Sequence, residues 1–207
     1  MLVFRRLTTT LAFAFLGLSV PALANESVYT DLNLDRCQTI AADDMGASMK
    51  CKGYKDYPIY FSEGDLRQSV LYGPVRAELI EGAFESFGAF NHVNTKVEWR
   101  LDASGKPFAA ILRWFIENVG ATGMPTKAAE GQVLVVARVA QPDDGLSCVV
   151  GYVDALSNPN ANELARQIAD SDARDFACGY QEGMWVGKRG DKTSEQTHVW
   201  PEGLTGE

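Results

Sequence analysis

The stretch V-L-V-V-A-R-V-A-Q-P-D-D-G-L-S-C-V-V-G-Y-V, residues 133–153, determines the fold that we expect for this chain. Two runs rich in β-branched residues are typical of strands. They flank residues 141–145, whose Pro, Asp and Gly side chains favour a turn. The stretch therefore predicts an antiparallel hairpin in which Arg138 lies roughly opposite Cys148.

Segments on the N-terminal side of this hairpin also alternate with period two, the pattern of half-buried strands. They are residues 57–61, 66–72 and 97–101. Residues 108–116 are apolar on both faces except at Arg113, which favours a central strand, with a short helix as the alternative. Residues 73–94 are ambiguous, because 76–81 fits a helix and 84–90 fits a strand.

The C-terminal half contains one amphipathic helix pattern, in residues 162–179. Asp172 falls in the middle of its apolar arc. Either the helix ends near Ala169 and residues 170–172 cap a new turn, or it continues and Asp172 faces an arginine.

These patterns predict a single α+β domain. We expect a mainly antiparallel sheet of about six to eight strands, with one helix of the C-terminal region packed on it. The domain spans residues 25–186, between a signal peptide at 1–24 and a polar, partly flexible tail at 187–207.

The N-terminus has the order of a secretory signal peptide. Arg5 and Arg6 precede an apolar run of residues 7–20, and the small-residue sequence Ala22-Leu23-Ala24 follows. The run is shorter than the roughly 20 residues that span a bilayer. We therefore expect cleavage after Ala24, a periplasmic or secreted protein, and no membrane span after cleavage.

The chain is acidic, with a net charge of −8. Removal of residues 1–24, which hold two arginines and no acidic residue, leaves 183 residues with a net charge of −10. Such a chain repels phosphate backbones and anionic lipid surfaces, so we expect no nucleic-acid partner.

All four cysteines, Cys37, Cys51, Cys148 and Cys178, lie beyond Ala24. An even number in an exported chain indicates disulfides. Of the three pairings, we favour Cys37 with Cys51, which closes a local loop, and Cys148 with Cys178, which joins a strand to the helix.

Buried arginines are rare unless they are paired. If Cys178 draws the helix onto the face that holds Arg138, then Asp172 or Asp175 can meet this arginine. We therefore expect a buried ion pair here, with a solvent-facing Arg138 as the alternative.

Tyrosines are concentrated in the sequence K-G-Y-K-D-Y-P-I-Y-F, residues 52–61. Tyr54, Tyr57 and Tyr60 offer an aromatic patch for stacking a sugar or peptide. The alternative is that they pack at the edge of the core beside Cys51.

No motif for a nucleophile, metal or cofactor is present, so we assign no catalytic, metal-binding or cofactor-binding residues and expect no cofactor. The sequence leaves it uncertain whether the chain is an enzyme. We interpret Glu81, Glu85 and the other clustered carboxylates, and the lone His92 and His198, as surface residues.

Several longer segments together resemble an uncharacterised family of exported, two-disulfide proteins of alphaproteobacteria. They are C-K-G-Y (51–54), Y-P-I-Y (57–60), G-D-L-R (64–67), K-P-F-A-A-I-L-R-W (106–114), and A-N-E-L-A (161–165) with F-A-C-G (176–179). The resemblance implies a periplasmic address. It assigns no catalytic or binding residues, because the family has no known activity.

Two function classes follow. We favour a non-catalytic binding or inhibitor-like envelope module, whose partner is an envelope protein or a cell-wall-derived ligand. This class predicts a compact fold with no deep polar pocket. The alternative is a small exported hydrolase, which requires a concave site with two carboxylates within about 10 Å.

Overall fold

The computed structural model describes residues 25–120 and 123–204 and has three layers. A six-stranded sheet lies in the middle, with a four-stranded sheet on one face and a helix on the other. The predicted α+β class, with its mainly antiparallel sheets and one helix in the C-terminal region, is confirmed. The predicted signal peptide and the cleavage at Ala24 lie outside the described residues.

The six-stranded sheet is antiparallel except at its last strand. In spatial order it contains β1 (Glu26–Asp31), β7 (Asn91–Leu101), β8 (Pro107–Ile116), β9 (Gly131–Arg138), β10 (Cys148–Asp154) and β11 (Met184–Trp185). β11 pairs in parallel with β10. Because residues 108–116 form a central strand here, the helical alternative for them is wrong.

The hairpin predicted from residues 133–153 is confirmed, and Arg138 lies directly opposite Cys148. The register shifts between Val149 and Gly151. This bulge places Val150 among the residues facing the helix and Tyr152 among those facing the other sheet, although they are only two positions apart.

The four-stranded antiparallel sheet follows a short 3₁₀ helix at Leu34–Arg36. Its strands, in both chain and spatial order, are β2 (Gln38–Ala42), β3 (Gly46–Tyr54), β4 (Tyr57–Gly64) and β5 (Arg67–Tyr72). Asp65 and Leu66 connect β4 to β5 with φ angles of 48° and 59°. This left-handed pair has the twist that suits a two-residue hairpin turn.

The main core lies between the two sheets. Trp99 of β7 is completely buried there, and the ring of Tyr72 meets its indole edge-on with 5.7 Å between centroids. Ile59 and Phe61 from β4 complete the contact with the six-stranded sheet. Burial of such side chains contributes roughly 1.5–3 kcal/mol each, so this interface supplies much of the folding energy.

Helix α2 (Ala161–Asp172) packs on the opposite face through Ala165, Ile168 and Ala169. The helix continues through Asp172, so the predicted break after Ala169 is wrong. The continuous-helix alternative is also wrong in one respect, because Asp172 is exposed at the helix end and pairs with no arginine of the described residues.

Charged contacts join α2 to β7. Arg100 donates two hydrogen bonds of 2.9 and 2.6 Å to the carboxylate of Asp170, and Arg166 donates to Glu98 at 2.6 and 3.2 Å. Burial acts to raise the pKa of Glu98, but hydrogen bonds from Arg166 and Ser27 outweigh it and hold the pKa below its ordinary value.

The end of the chain returns to the body of the protein. Helix α1 (Ala77–Gly82) and strand β6 (Phe84–Phe87) resolve the ambiguous region, and β12 (Gln196–Val199) pairs antiparallel with β6. β12 lies in the segment that the sequence indicated as a polar, partly flexible tail. Apolar matching with β6 was not visible there, because Val199 is the only β-branched aliphatic residue of this strand.

Both predicted disulfides are present. Cys37 is bonded to Cys51 and Cys148 to Cys178, so the sequential pairing is confirmed. No helix in the described residues is long and apolar enough to cross a membrane.

Candidate functional site

A polar cavity of about 230 Å³ lies beside the β10–β11 edge of the six-stranded sheet. We call it the Glu85 cavity. Its wall is formed by Glu85, Tyr152, Gln196, His198, Trp200 and the segment 179–183. The volume lies below the roughly 300–1,000 Å³ of drug-sized sites, so a small molecule or a single side chain fits it.

Glu85 reaches into the cavity from β6. The β6–β12 pairing places it opposite His198, and its backbone amide donates to Ser69 Oγ at 3.1 Å. Its carboxylate oxygen Oε2 accepts a hydrogen bond of 2.9 Å from the amide of Val149, next to the bulge in β10. The carboxyl group is thus held between two sheets.

The surroundings of Glu85 change its acidity. Burial raises the pKa of its carboxyl from the ordinary 4.5 to about 7. The Val149 amide and the Trp200 side chain favour the ionised form, but burial outweighs them. Glu85 therefore changes charge near neutral pH, where an ordinary glutamate is fully ionised.

Tyr152 forms the inner wall of the cavity and is only 5% exposed. Its ring stacks on Trp185 with 5.2 Å between centroids. Burial raises the pKa of its phenol, and the charges of Glu85 and Glu182 act in the same direction. Its hydroxyl has no hydrogen-bond partner among the described residues, which leaves it free to bond a ligand.

The outer wall is the segment 179–183, which follows Cys178. The disulfide to Cys148 attaches its first end to β10, and Gly179 adopts a φ of +81°. A Cβ on Gly183 would lie 3.1 Å from the carbonyl carbon of Val150, so only glycine passes this close to the strand without a shift. Glu182 Oε1 lies 3.6 Å from His198 Nε2 at the open side.

Within the part of the chain that the structure describes, the lining of the cavity is acidic and includes no lysine or arginine. Two carboxylates line it, and one of them is held in the interior. A ligand with a positive charge and N–H donors matches this set, because charge-assisted hydrogen bonds are the strong ones. Among the residues described, no three His, Cys, Asp or Glu side chains group closely enough to hold a metal ion.

A carboxyl titrating near pH 7 beside a second carboxylate is also a pattern of general acid–base chemistry. In this respect the cavity resembles the concave site with two carboxylates that the hydrolase alternative requires. Glu182, however, has a side chain 75% exposed, on a connecting segment. This favours recognition over a fixed catalytic pair.

The tyrosines predicted as an aromatic patch do not form one surface. Tyr54 and Tyr57 pack against the core between the sheets, and the ring of Tyr54 lies 6.3 Å from that of Trp99. Tyr60 packs against a separate cluster that includes Leu71. The patch is therefore wrong as a single platform, because Tyr57 and Tyr60 point to opposite faces of β4.

The expected ion pair between Arg138 and Asp172 or Asp175 is also wrong. Arg138 bonds the carboxylate of Asp144 and the carbonyl of Leu146, both in the turn of its own hairpin. The partner is local because the turn folds back toward the strand. Asp172 and Asp175 instead line an open groove beside the helix end, where neither pairs with a described basic residue.

Comparison with protein-family models, with curated proteins and with solved structures finds no match for this chain. The site is therefore assigned from its geometry alone.

Sequence reasoning missed the residues of the cavity. Sequence pattern alone indicates Glu85 and His198 as surface residues and gives no signal for Tyr152 or Glu182. One signal does exist for Glu85, since it shares a face with the apolar Phe87 in a segment that fits a strand. No local pattern shows that β12, more than a hundred residues later, covers it.

Proposed function

We propose that the protein is exported to the periplasm or the extracellular space, where it binds a small organic cation in the Glu85 cavity without altering it chemically. An amine-bearing cell-wall fragment presents this chemistry, and so does a basic side chain of an envelope protein.

Export is supported by two independent features. The N-terminal sequence has the charge and apolar order of a signal peptide, and the folded domain holds two disulfides. Disulfides form and persist in oxidising compartments. Fractionation of cells expressing the full chain tests the address, and the intact chain retained in the cytoplasm would contradict it.

One observation carries the binding assignment. The carboxyl of Glu85 and the hydroxyl of Tyr152 converge on the same small cavity, and Tyr152 has no partner among the described residues. A ligand in the cavity can therefore donate to the Tyr152 hydroxyl or accept from it without displacing a protein partner.

The test uses the exported, oxidised protein and three probes of equal length: butylammonium, butanol and butyrate. We expect only butylammonium to bind, and to change the fluorescence of Trp185 and Trp200 beside the cavity. Glu85→Gln should lower its affinity at least tenfold, while the matched variant Glu78→Gln, on exposed α1, binds like the wild type. Equal binding of butyrate, or unchanged binding to Glu85→Gln, would refute the assignment.

The cation should bind the ionised form of Glu85, so affinity depends on pH. We expect it to rise about tenfold per pH unit below pH 7 and to level off above it. The other titratable groups that line the cavity are Tyr152, Tyr180, Glu182 and His198. Burial raises the pKa of the Tyr152 phenol, so it stays neutral in this range.

The hydrolase alternative rests on the raised pKa of Glu85 beside Glu182. In that case Glu85 is the general acid and Glu182 the second carboxylate. Incubation with cell-wall glycan and peptide fragments decides between the classes. Turnover that both Glu85→Gln and Glu182→Gln abolish would establish the hydrolase, whereas binding without turnover supports the module.

A further inference from the structure

A second concave surface lies on the helix side of the same sheet edge. Its floor is apolar and includes Val150, Ile168 and Phe176, and its volume is about 460 Å³. We call it the acidic groove, because Asp172, Asp175 and Glu182 line it. Glu182 and its neighbour Gln181 also line the Glu85 cavity, so these two residues separate the groove from the cavity.

The carboxylates of the groove are not neutralised by the helix that carries them. Of the two arginines on this side, Arg166 bonds Glu98. Arg174 lies over the ring of Phe108, with its guanidinium carbon 3.4 Å from the centroid, and donates to Asn25 at 2.9 Å. Among the described residues, no lysine or arginine pairs with Asp172 or Asp175.

The helix itself strengthens the negative potential. Asp172 is the last residue of α2, and the last turn contains no basic residue. The C-terminal end of a helix carries a partial negative charge, which favours cations and disfavours carboxylates. Asp172 and Asp175 thus stand where acids reduce stability, and a bound cation would remove that cost.

The rim of the groove also exposes apolar surface. Met184, which lines the groove, is 73% exposed, the highest value among the large apolar side chains of the described residues. Tyr180, which is 72% exposed, lies next to it on the wall of the Glu85 cavity. Exposed apolar side chains next to a concave apolar floor are typical of an interaction surface.

The free edge of the sheet adds backbone groups to this surface. β11 is the last strand of the six-stranded sheet, so its outer edge has no strand partner there. An extended peptide that pairs with such an edge places alternate side chains toward the neighbouring floor.

We infer that the acidic groove binds an extended segment of a partner protein in which lysine or arginine alternates with apolar residues. The apolar side chains cover the floor at Ile168 and Phe176. The basic side chains meet Asp172 and Asp175.

The test compares two peptides with the exported, oxidised protein: acetyl-Leu-Lys-Leu-Lys-Leu-amide and its counterpart with glutamate in place of lysine. Amide shifts in two-dimensional NMR spectra report the site. We expect only the lysine peptide to bind, with the largest shifts at Val150, Met184 and Val186. Binding of both peptides, or of neither, would overturn the inference.

Asp172→Asn with Asp175→Asn should weaken binding of the lysine peptide about tenfold. The matched control, Asp35→Asn with Asp191→Asn, removes the same net charge from exposed positions elsewhere and should leave the affinity unchanged. Equal loss in both double variants would mean attraction by net charge alone and would refute the groove.

Glu85→Gln separates this inference from the proposed function. It should leave binding of the lysine peptide unchanged while it lowers binding of butylammonium. If Glu85→Gln weakens the peptide as much as the Asp172 and Asp175 substitutions do, the peptide occupies the cavity and the inference about the groove is wrong.

Discussion

At the scale of a residue, Glu85 links stability to pH. The folded state raises the pKa of this carboxyl from 4.5 to about 7, so it holds the proton more tightly than the unfolded chain does. Its contribution to stability is therefore fully present below pH 4.5 and falls as pH rises through about 7. At about 1.4 kcal/mol per pH unit between the two pKa values, the folded protein loses roughly 3 kcal/mol over this window.

Glu85→Gln should abolish this part of the pH dependence, because the amide has the shape of the protonated acid and does not titrate. Urea unfolding of both proteins between pH 4.5 and 8 measures the difference. We expect the free energy of unfolding of Glu85→Gln, relative to that of the wild type, to increase by about 3 kcal/mol from pH 4.5 to pH 8. Glu78→Gln should follow the wild type. Parallel curves for wild type and Glu85→Gln would contradict the buried position of the carboxyl.

Residue positions were predictable where neighbours in sequence determine them. Arg138 lies opposite Cys148 because the hairpin that joins them is local, and the cysteine pairing follows from the same reasoning. The partner of Arg138 was predicted wrongly because Asp144 in the turn is closer than any acid on α2. Glu85 is half-buried by distant parts of the chain, which no local pattern reports.

At the scale of elements, α2 is held on the sheet by charge as well as by apolar contact. Arg100 is 7% exposed and makes a bidentate pair with Asp170, whose side chain is 32% exposed. Arg100 also donates to Ser27 Oγ at 2.6 Å, which ties the helix to β1 as well as to β7. Loss of one partner leaves the other charge poorly solvated.

We expect Arg100→Met to lower the free energy of unfolding by roughly 2–3 kcal/mol, below the 3–5 kcal/mol of fully buried pairs because Asp170 is partly exposed. A double-mutant cycle with Asp170→Asn, measured by urea unfolding, isolates the pair. Lys96 of β7 and Asp31 of β1 form an exposed pair and provide the control, with an expected cost below about 1 kcal/mol. Equal costs for the two pairs would contradict this role of Arg100.

Elements with strong periodicity were predictable, and those without it were not. β8 and β9 are apolar runs of the kind that favours a central strand. β12 is short and polar, and it forms a strand because β6 offers it an edge. The end of α2 was misjudged because Ser and Asp favour caps locally, while packing of Ile168, Ala169 and Ala173 keeps the helix continuous.

At the scale of the whole molecule, the class was predictable and the layering was not. Alternation shows that a strand has two faces, but not what covers each face. Both faces of the six-stranded sheet are buried, one by the second sheet and one by α2. The cavity and the groove arise only where the segment after Cys178 crosses the edge between these layers.

The two disulfides should differ in function although they contribute similarly to stability. Their loops span 30 and 14 residues, so removal of either by paired Cys→Ala substitutions should cost roughly 3 kcal/mol in urea unfolding. Loss of the Cys148–Cys178 bond frees the segment at the cavity and should weaken butylammonium binding severalfold. Loss of Cys37–Cys51 should leave affinity unchanged, and equal effects on affinity would contradict the arrangement.

Strands β1 and β7 are paired although they lie far apart in the sequence, so this pair can form only late in folding. Glu26 lies opposite Leu101 and Asp31 opposite Lys96. While the chain is being synthesised, β1 therefore remains unpaired until β7 has also been made. Contacts with such large sequence separation raise the contact order, and folding of this kind takes milliseconds to seconds. In that interval β8, uncovered on both faces, is prone to aggregate. The distant pairing of β1 with β7 thus leaves apolar strands uncovered for longer than a local hairpin would.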